Sequence, residues 1–413
     1  MDAVEIARRA QQVRSAIARC TSEEKNAVLL SVAELLDAQR ERILAANACD
    51  LEAAAQSSAK PAFLDRLRVT QERIDGMIAG VRQVVSLPDP CARTPQAHVL
   101  ASGITCVRQP VPFGVILMIY ESRPNVTVDA AVLGIKSGNV MILRGGKESL
   151  ATNRALRDCL TAALEKHQLP VDIVQLVEDT DRQRVQELIR LRRYIDLVIP
   201  RGSAALIRTI VENSTVPVIE TGSGICHMYI DSSAVWETAI ALALNAKVQR
   251  PSVCNAMETL LVHASWQPKI DEILQPLADA GVEIRGDEKI CRCFPAARPA
   301  TEEDWATEYN DLILSVAFVP DEETAIAHIQ QYGTRHSECI VATDRQAVER
   351  FMQDVDAAVI YANASMRFTD GFEFGLGAEI GISTQKMHVR GPMGLEALTT
   401  YEYRMFGDGQ IRS

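Results

Sequence analysis

Aromatic residues are scarce in this chain, 5% of 413 positions, although 47% of it is hydrophobic. Alanine is abundant, so helices should be plentiful. No uninterrupted apolar run approaches a membrane span; the longest stretch, 111–120, is broken by Pro112 and Gly114. An excess of positive charge is also missing. A formal net charge of -11 speaks against non-specific nucleic-acid binding and against an anionic membrane surface. Neither is an expected partner. The start, Met1 to Arg9, lacks the apolar core of a secretion signal. Ten scattered cysteines in so long a chain then point to a reducing compartment, and the expected location is cytoplasmic.

Several motifs are absent as well. No G-x-G-x-x-G occurs at a strand-to-helix turn, which disfavours a standard Rossmann dehydrogenase. Gly375-Leu376-Gly377 has the wrong spacing and no preceding strand. No Gly-x-Ser-x-Gly elbow is present for a serine hydrolase. Cys291-Arg292-Cys293 lacks further ligands at metal spacing, so no metal is expected.

The length exceeds one ordinary core and suggests two or three domains. Residues up to about Pro88 read as helical, with a capping box at Thr21-Ser22-Glu23-Glu24 opening a helix towards Ala54. A second amphipathic pattern spans 63–85. A strand-like stretch, Ile104 to Gln109, follows. From Phe113 the rhythm becomes strand, helix, strand, helix, beginning with the wholly apolar strand 114–120. This predicts a doubly wound α/β domain. The alternation resumes after Cys254 with strands near 259–263, 312–319, 339–342 and 358–361, a second α/β unit. Periodicity is lost from Met366 to Gly394, and long irregular loops of this kind commonly carry function.

Cys254 is the leading candidate for chemistry. It follows an apolar helix, 236–247, that Pro251 should end, and precedes a buried strand. Lys247 and Arg250 stand close in sequence and could stabilise a thiolate. The bland alternative is a small core residue. Ligands in parallel sheets bind beyond the carboxyl ends of strands. Four segments qualify: 120–125, 144–149, 200–203 and 220–224, the last running through Gly222. Each is rich in glycine, hydroxyl or basic residues, types that let N–H groups and cations approach phosphates. Each alone could be a plain turn with a serine cap; four in succession favour a nucleotide site.

At this point the residues resemble a known family, the gamma-glutamyl phosphate reductases of the aldehyde dehydrogenase superfamily. The similarity runs nearly end to end. It is most specific in Pro112-Phe113-Gly114-Val115 through Glu121-Ser122-Arg123-Pro124-Asn125, in Ile219-Glu220-Thr221-Gly222, around Cys254, and in the tail from Gly375 to Glu396. The resemblance implies an aldehyde dehydrogenase-like α/β fold: two doubly wound α/β domains, one for the cofactor and one catalytic, plus a small β oligomerisation region. The expected boundaries are 1–248 for the cofactor domain, 249–365 for the catalytic domain, and 97–111 with 385–413 for the oligomerisation region and tail. It also implies NADPH-dependent reduction of L-glutamyl 5-phosphate to the 5-semialdehyde through a cysteine thioester, the second step of proline biosynthesis from glutamate.

By the same resemblance, Cys254 is the nucleophile. Arg144 and Lys147 face the adenosine ribose and its phosphate, Gly202, Ser203 and Gly222 the dinucleotide, and Glu308 the nicotinamide ribose. Arg123, Asn125, Asn363 and Arg390 are candidates for the substrate. Two positions depart from hydrolytic relatives. Ser122 replaces an Asn that stabilises the oxyanion, leaving the Cys254 N–H as a candidate donor. Glu220 stands where those relatives have the water-activating base, and is read as orienting the thiol, accepting a proton or capping a turn. A homo-oligomer is implied, with transient contact to glutamate 5-kinase as a further expectation. The rival readings are a related acyl-phosphate reductase, an oxidising aldehyde dehydrogenase and a non-catalytic subunit.

Overall fold

A computed structural model describes residues 1–56 and 61–412. The chain forms two compact units. The first comprises Met1–Thr221, Gly375–Gly381 and Met393–Ser413; the second comprises Gly222–Phe374 and Ile382–Pro392.

The first unit opens with helices, as its composition predicts. Thr21 caps the helix Ser22–Ala38 as a full capping box with Glu24. The expected single helix to Ala54 is interrupted at Gln39, whose φ of -103° and ψ of 17° leave the helical region; a new helix runs Arg40–Gln56. The stretch 63–85 likewise resolves into Pro61–Leu67 and Gln71–Ser86, the second capped by Thr70.

A small antiparallel sheet contains β1 (Gln96–Val99), β2 (Thr105–Pro112) and the last strand, β16 (Thr399–Phe406). Tyr401, Tyr403, Met405 and Phe406 are exposed on it. The main sheet of this unit is parallel, in the order β5 (Val174–Leu176), β4 (Val140–Arg144), β3 (Val115–Tyr120), β6 (Leu197–Arg201). β3 is buried at every position, which explains its unbroken apolar sequence. Beyond β6, Val218 forms only a bridge to Val198.

The second unit holds a parallel sheet of seven strands among the described residues. Their order is β10 (Arg298–Pro299), β9 (Glu283–Gly286), β11 (Ile313–Val319), β8 (Met257–His263), β7 (Cys226–Ile230), β12 (Ser337–Val341), β13 (Val359–Ala362). A short ribbon, β14 (Ile382–Ser383) with β15 (Gly391–Pro392), belongs to this unit too. The division therefore falls between 221 and 222, not at the expected 248/249. The reason is β7, a strand that no local sequence pattern predicts. It pairs with both β8 and β12 and so draws the following helix, Trp236–Val248, into this unit.

Two histidines of this unit are withdrawn from water, His336 fully and His328 in part. Burial lowers His336 to about 4, and burial together with the charge of His227 lowers His328 to about 3. Both are neutral in the folded protein, while an exposed histidine takes a proton near pH 6.5. Above that pH neither state gains a proton and stability is unaffected. Below it the unfolded chain binds protons first, so stability falls as pH drops from about 6.5 towards 4. The expected loss from His336 alone is about 2 kcal/mol at pH 5. Denaturant unfolding of wild type and His336→Gln at pH 7.5 and 5.0 checks this: the variant should lose less on acidification. An equal loss would remove His336 as the cause.

Candidate active site

Cys254 lies three residues before β8, at the amino edge of a parallel sheet. The helix Trp236–Val248 ends before Pro251, and the chain turns into the strand. The peptide of Cys254 is held tightly. The Cys226 thiol donates to the Cys254 carbonyl at 3.2 Å. Gly224 packs against the same peptide, where an added Cβ would lie 1.5 Å from the Cys254 carbonyl oxygen. The Gly224 N–H in turn donates to Glu308 Oε1 at 2.8 Å. The next residue, Asn255, donates from Nδ2 to the Thr369 carbonyl at 2.7 Å and to the Arg367 carbonyl at 3.3 Å.

The charge beside the thiol differs from the sequence expectation. Lys247 is fully buried and donates to Glu258 Oε2 at 2.6 Å. That cation is committed to a structural pair: Glu258 also accepts from the Asn310 N–H at 3.2 Å. A different cation, Arg367, acts on the thiol, and Arg250 lies close enough for its charge to act on Arg367. Burial first, and the Arg250 charge second, pull the Arg367 guanidinium below its ordinary range, while ionised Cys254 acts to raise it. Gln249 Oε1 accepts from Arg367 Nε at 2.9 Å and orients the group. Arg367 sits in the glycine-rich 366–394 region already expected to carry function. A lone arginine there gave no signal of its own in sequence.

The second unit thus brings Cys254, Glu308 and the 222–224 turn together. Gly222 donates its N–H to the Ile382 carbonyl at 3.1 Å, and a Cβ there would meet the Thr384 side chain at 2.4 Å. Asn363 is not in this group. It follows β13, at the opposite, carboxyl edge, and its amide both accepts from the Ala342 N–H and donates to the Ala342 carbonyl, at 2.9 and 2.8 Å. Its side chain ties two loops together. Arg390 stands at the amino edge with Asp356, at 2.8 Å.

In the first unit the loops after β3, β4 and β6 meet, because β3 lies between the other two. The Glu121 N–H donates to the Arg201 carbonyl at 3.2 Å. Ser122, buried and at a φ of 20°, donates its hydroxyl to Glu148 Oε1. Asn125 Nδ2 donates to Asp129 Oδ2 at 2.9 Å. Arg123 and Glu220 are partly buried on loops of this unit, and Lys147 is exposed. Arg144 donates to the Gly145 and Thr180 carbonyls at 2.9 and 3.0 Å. Its Nε is buried with no hydrogen-bond partner among the described residues, a donor that fits an anionic group.

Gly202 and Ser203 do open the helix Ala204–Asn213, but its amino end is not bare. Glu121, which the sequence reading passed over, accepts from the Ser203 N–H at 2.8 Å and from the Ser203 hydroxyl at 3.1 Å. A carboxylate and a phosphate cannot share that donor. The β4 turn therefore fits a dinucleotide phosphate as it stands, whereas the β6 turn does so only with Glu121 displaced.

Two parallel α/β sheets, one carrying a thiol on a pinned peptide with an arginine charge acting on it, are the layout of a two-unit α/β oxidoreductase. The chain belongs to the aldehyde dehydrogenase family, whose family model matches residues 1–287. Enzymes of this family use a nicotinamide cofactor. Among its relatives, the chain is 52% identical over 413 residues to the gamma-glutamyl phosphate reductase of Lacticaseibacillus paracasei, covering 100% of this chain and 98% of the relative. It is 50% identical over 410 residues to that of Geobacillus thermodenitrificans, with 99% of each covered. The crystal structure of gamma-glutamyl phosphate reductase from Thermotoga maritima superposes with a TM-score of 0.96 at 44% identity, over 100% of both chains.

Proposed function

We propose that this oxidoreductase carries out the reaction for which these relatives are named, reducing L-glutamyl 5-phosphate to glutamate 5-semialdehyde with release of phosphate. The observation that carries the reading is the Cys254 peptide, fixed by Gly224 and Cys226, with the Arg367 charge acting on the sulfur. The Cys254 thiolate attacks the acyl carbon and forms a thioester, and the acyl–oxygen bond to phosphate breaks. Arg250 and Arg367 offset the negative charge of both thiolate and departing phosphate. The Cys254 N–H is the proposed donor to the oxyanion. A reduced nicotinamide supplies the hydride when bound; the proposed cofactor is NADPH, with Arg144 and Lys147 receiving its additional phosphate. Glu308, whose other oxygen has no role in the Gly224 bond, is proposed for the nicotinamide ribose.

No deacylating water is required, which accords with Ser122 and Glu220 in place of the residues hydrolytic enzymes use. Arg123 and Asn125 remain proposals for substrate contact. The exposed aromatic strand β16 supports a homo-oligomer joined through the small sheet. Reaction in the cytoplasm, with substrate received from glutamate 5-kinase, completes the proposal. The test is a coupled assay with that kinase, ATP, glutamate and NADPH. Loss of NADPH absorbance that requires both the kinase and this chain is expected; no loss, with active kinase present, would overturn the reading.

A further inference from the structure

A second cationic group lies on the same sheet edge as Cys254. Parallel strands place Arg335 two residues before β12 and Asp356 three residues before β13. The ribbon β14–β15 adds Lys386 and Arg390. All three cations converge on the single carboxylate of Asp356: Arg390 at 2.8 Å, Lys386 at 3.2 Å and Arg335 at 3.7 Å. Burial would raise the Asp356 carboxyl, but Arg390 and Lys386 together hold it below its usual range.

Three positive charges against one negative leave the cluster short of anions. Arg390 shows the same shortage locally, since its Nε is buried with no hydrogen-bond partner among the described residues. Arg335 is also held at a φ of 61°, a backbone conformation uncommon for a residue with a side chain. The ribbon links the cluster to the thiol loop. Its first strand accepts from the Gly222 N–H through Ile382, two residues from Gly224. Its second strand carries Gly391 beside the Ala358 carbonyl, next to Asp356.

We infer that Arg335, Lys386 and Arg390, gathered by Asp356, receive the α-carboxylate of the acyl substrate and select for it. The inference rests on the function proposed above. The phosphate of that substrate is bonded through one oxygen to the carbon that Cys254 attacks, so it belongs beside Arg250 and Arg367. The α-carboxylate is at the other end of the molecule. β13 stands three strands from β8, roughly 14 Å at the usual strand spacing, a gap that long arginine and lysine side chains shorten. A planar guanidinium suits a carboxylate in two-point contact.

The reverse reaction tests this, because it separates the two anions. With glutamate 5-semialdehyde, phosphate and NADP as substrates, Arg390→Lys and Lys386→Gln should raise the KM for the semialdehyde about tenfold. The KM for phosphate should stay within about twofold. Preference for the semialdehyde over butyraldehyde, which has no carboxylate, should fall by a similar factor. Lys386 is largely exposed, so its variant folds even if that of Arg390 does not. An unchanged KM for the semialdehyde, or a rise in the KM for phosphate instead, would overturn the inference while leaving the proposed reaction intact. Failure of the wild-type protein to oxidise the semialdehyde with phosphate would remove the reaction itself.

Discussion

Replacing Cys254 with serine is expected to lower the turnover of glutamyl phosphate by about a thousandfold or more. Sulfur and oxygen differ little in size, so the peptide should remain fixed by Gly224 and Cys226. What is lost is the thiolate: a serine hydroxyl stays protonated at neutral pH even beside a cation that favours a thiolate. Two measurements separate chemistry from structure. Thermal unfolding of Cys254→Ser should stay close to wild type. Intact-mass analysis after mixing with substrate in the absence of cofactor should show an added glutamyl group on wild type and none on the variant. A serine variant that retains most of the activity would exclude the covalent route.

The second large effect is expected from Gly224→Ala. The added Cβ would lie 1.5 Å from the Cys254 carbonyl oxygen and 2.4 Å from its carbonyl carbon. Backbone cannot rotate aside as the end of a side chain can, so the loop holding the thiol must move. The movement also strains the Gly224 N–H bond to Glu308 and the Cys226 bond to the Cys254 carbonyl. Misplacing a nucleophile by about 1 Å costs roughly a hundredfold in rate, and the strain should remove about 1–3 kcal/mol of stability. The expected result is a drop in kcat of about a hundredfold or more with a lower melting temperature. Iodoacetamide labelling of Cys254 in the folded protein should slow in parallel. Wild-type activity in this variant would mean that Gly224 does not position the thiol.

These two positions mark how far the amino-acid sequence could be read. Cys254 was visible because it interrupts a predictable helix-to-strand connection. Gly224 was visible only as one glycine of a turn, and its role depends on β7 lying beside β8. β7 itself was missed. Its sequence, Cys-His-Met-Tyr-Ile, contains a histidine whose burial is made tolerable by Glu338 on the neighbouring strand, at 3.1 Å. No local pattern reports a partner 111 residues away. Lys247 fails for the same reason. Three residues from Arg250 it reads as a cation near the thiol, yet the side chain points into the protein and meets Glu258. Asn363 was a substrate candidate by resemblance alone, and its amide instead ties two loops at the carboxyl edge. In the second unit the thiol stands at the amino edge.

The sequence by itself determined the two α/β sheets, the helical start and the candidate nucleophile. These follow from periodicity, capping and apolar runs, which act over a few neighbouring residues. Only the tertiary structure decided that Arg367 accompanies Cys254, that Glu121 closes a helix end, and that three cations share Asp356. Each of those depends on strand order and on loops that return along the sheet. Electrostatic partnership is set by distance in space, which the order of residues along the chain does not record.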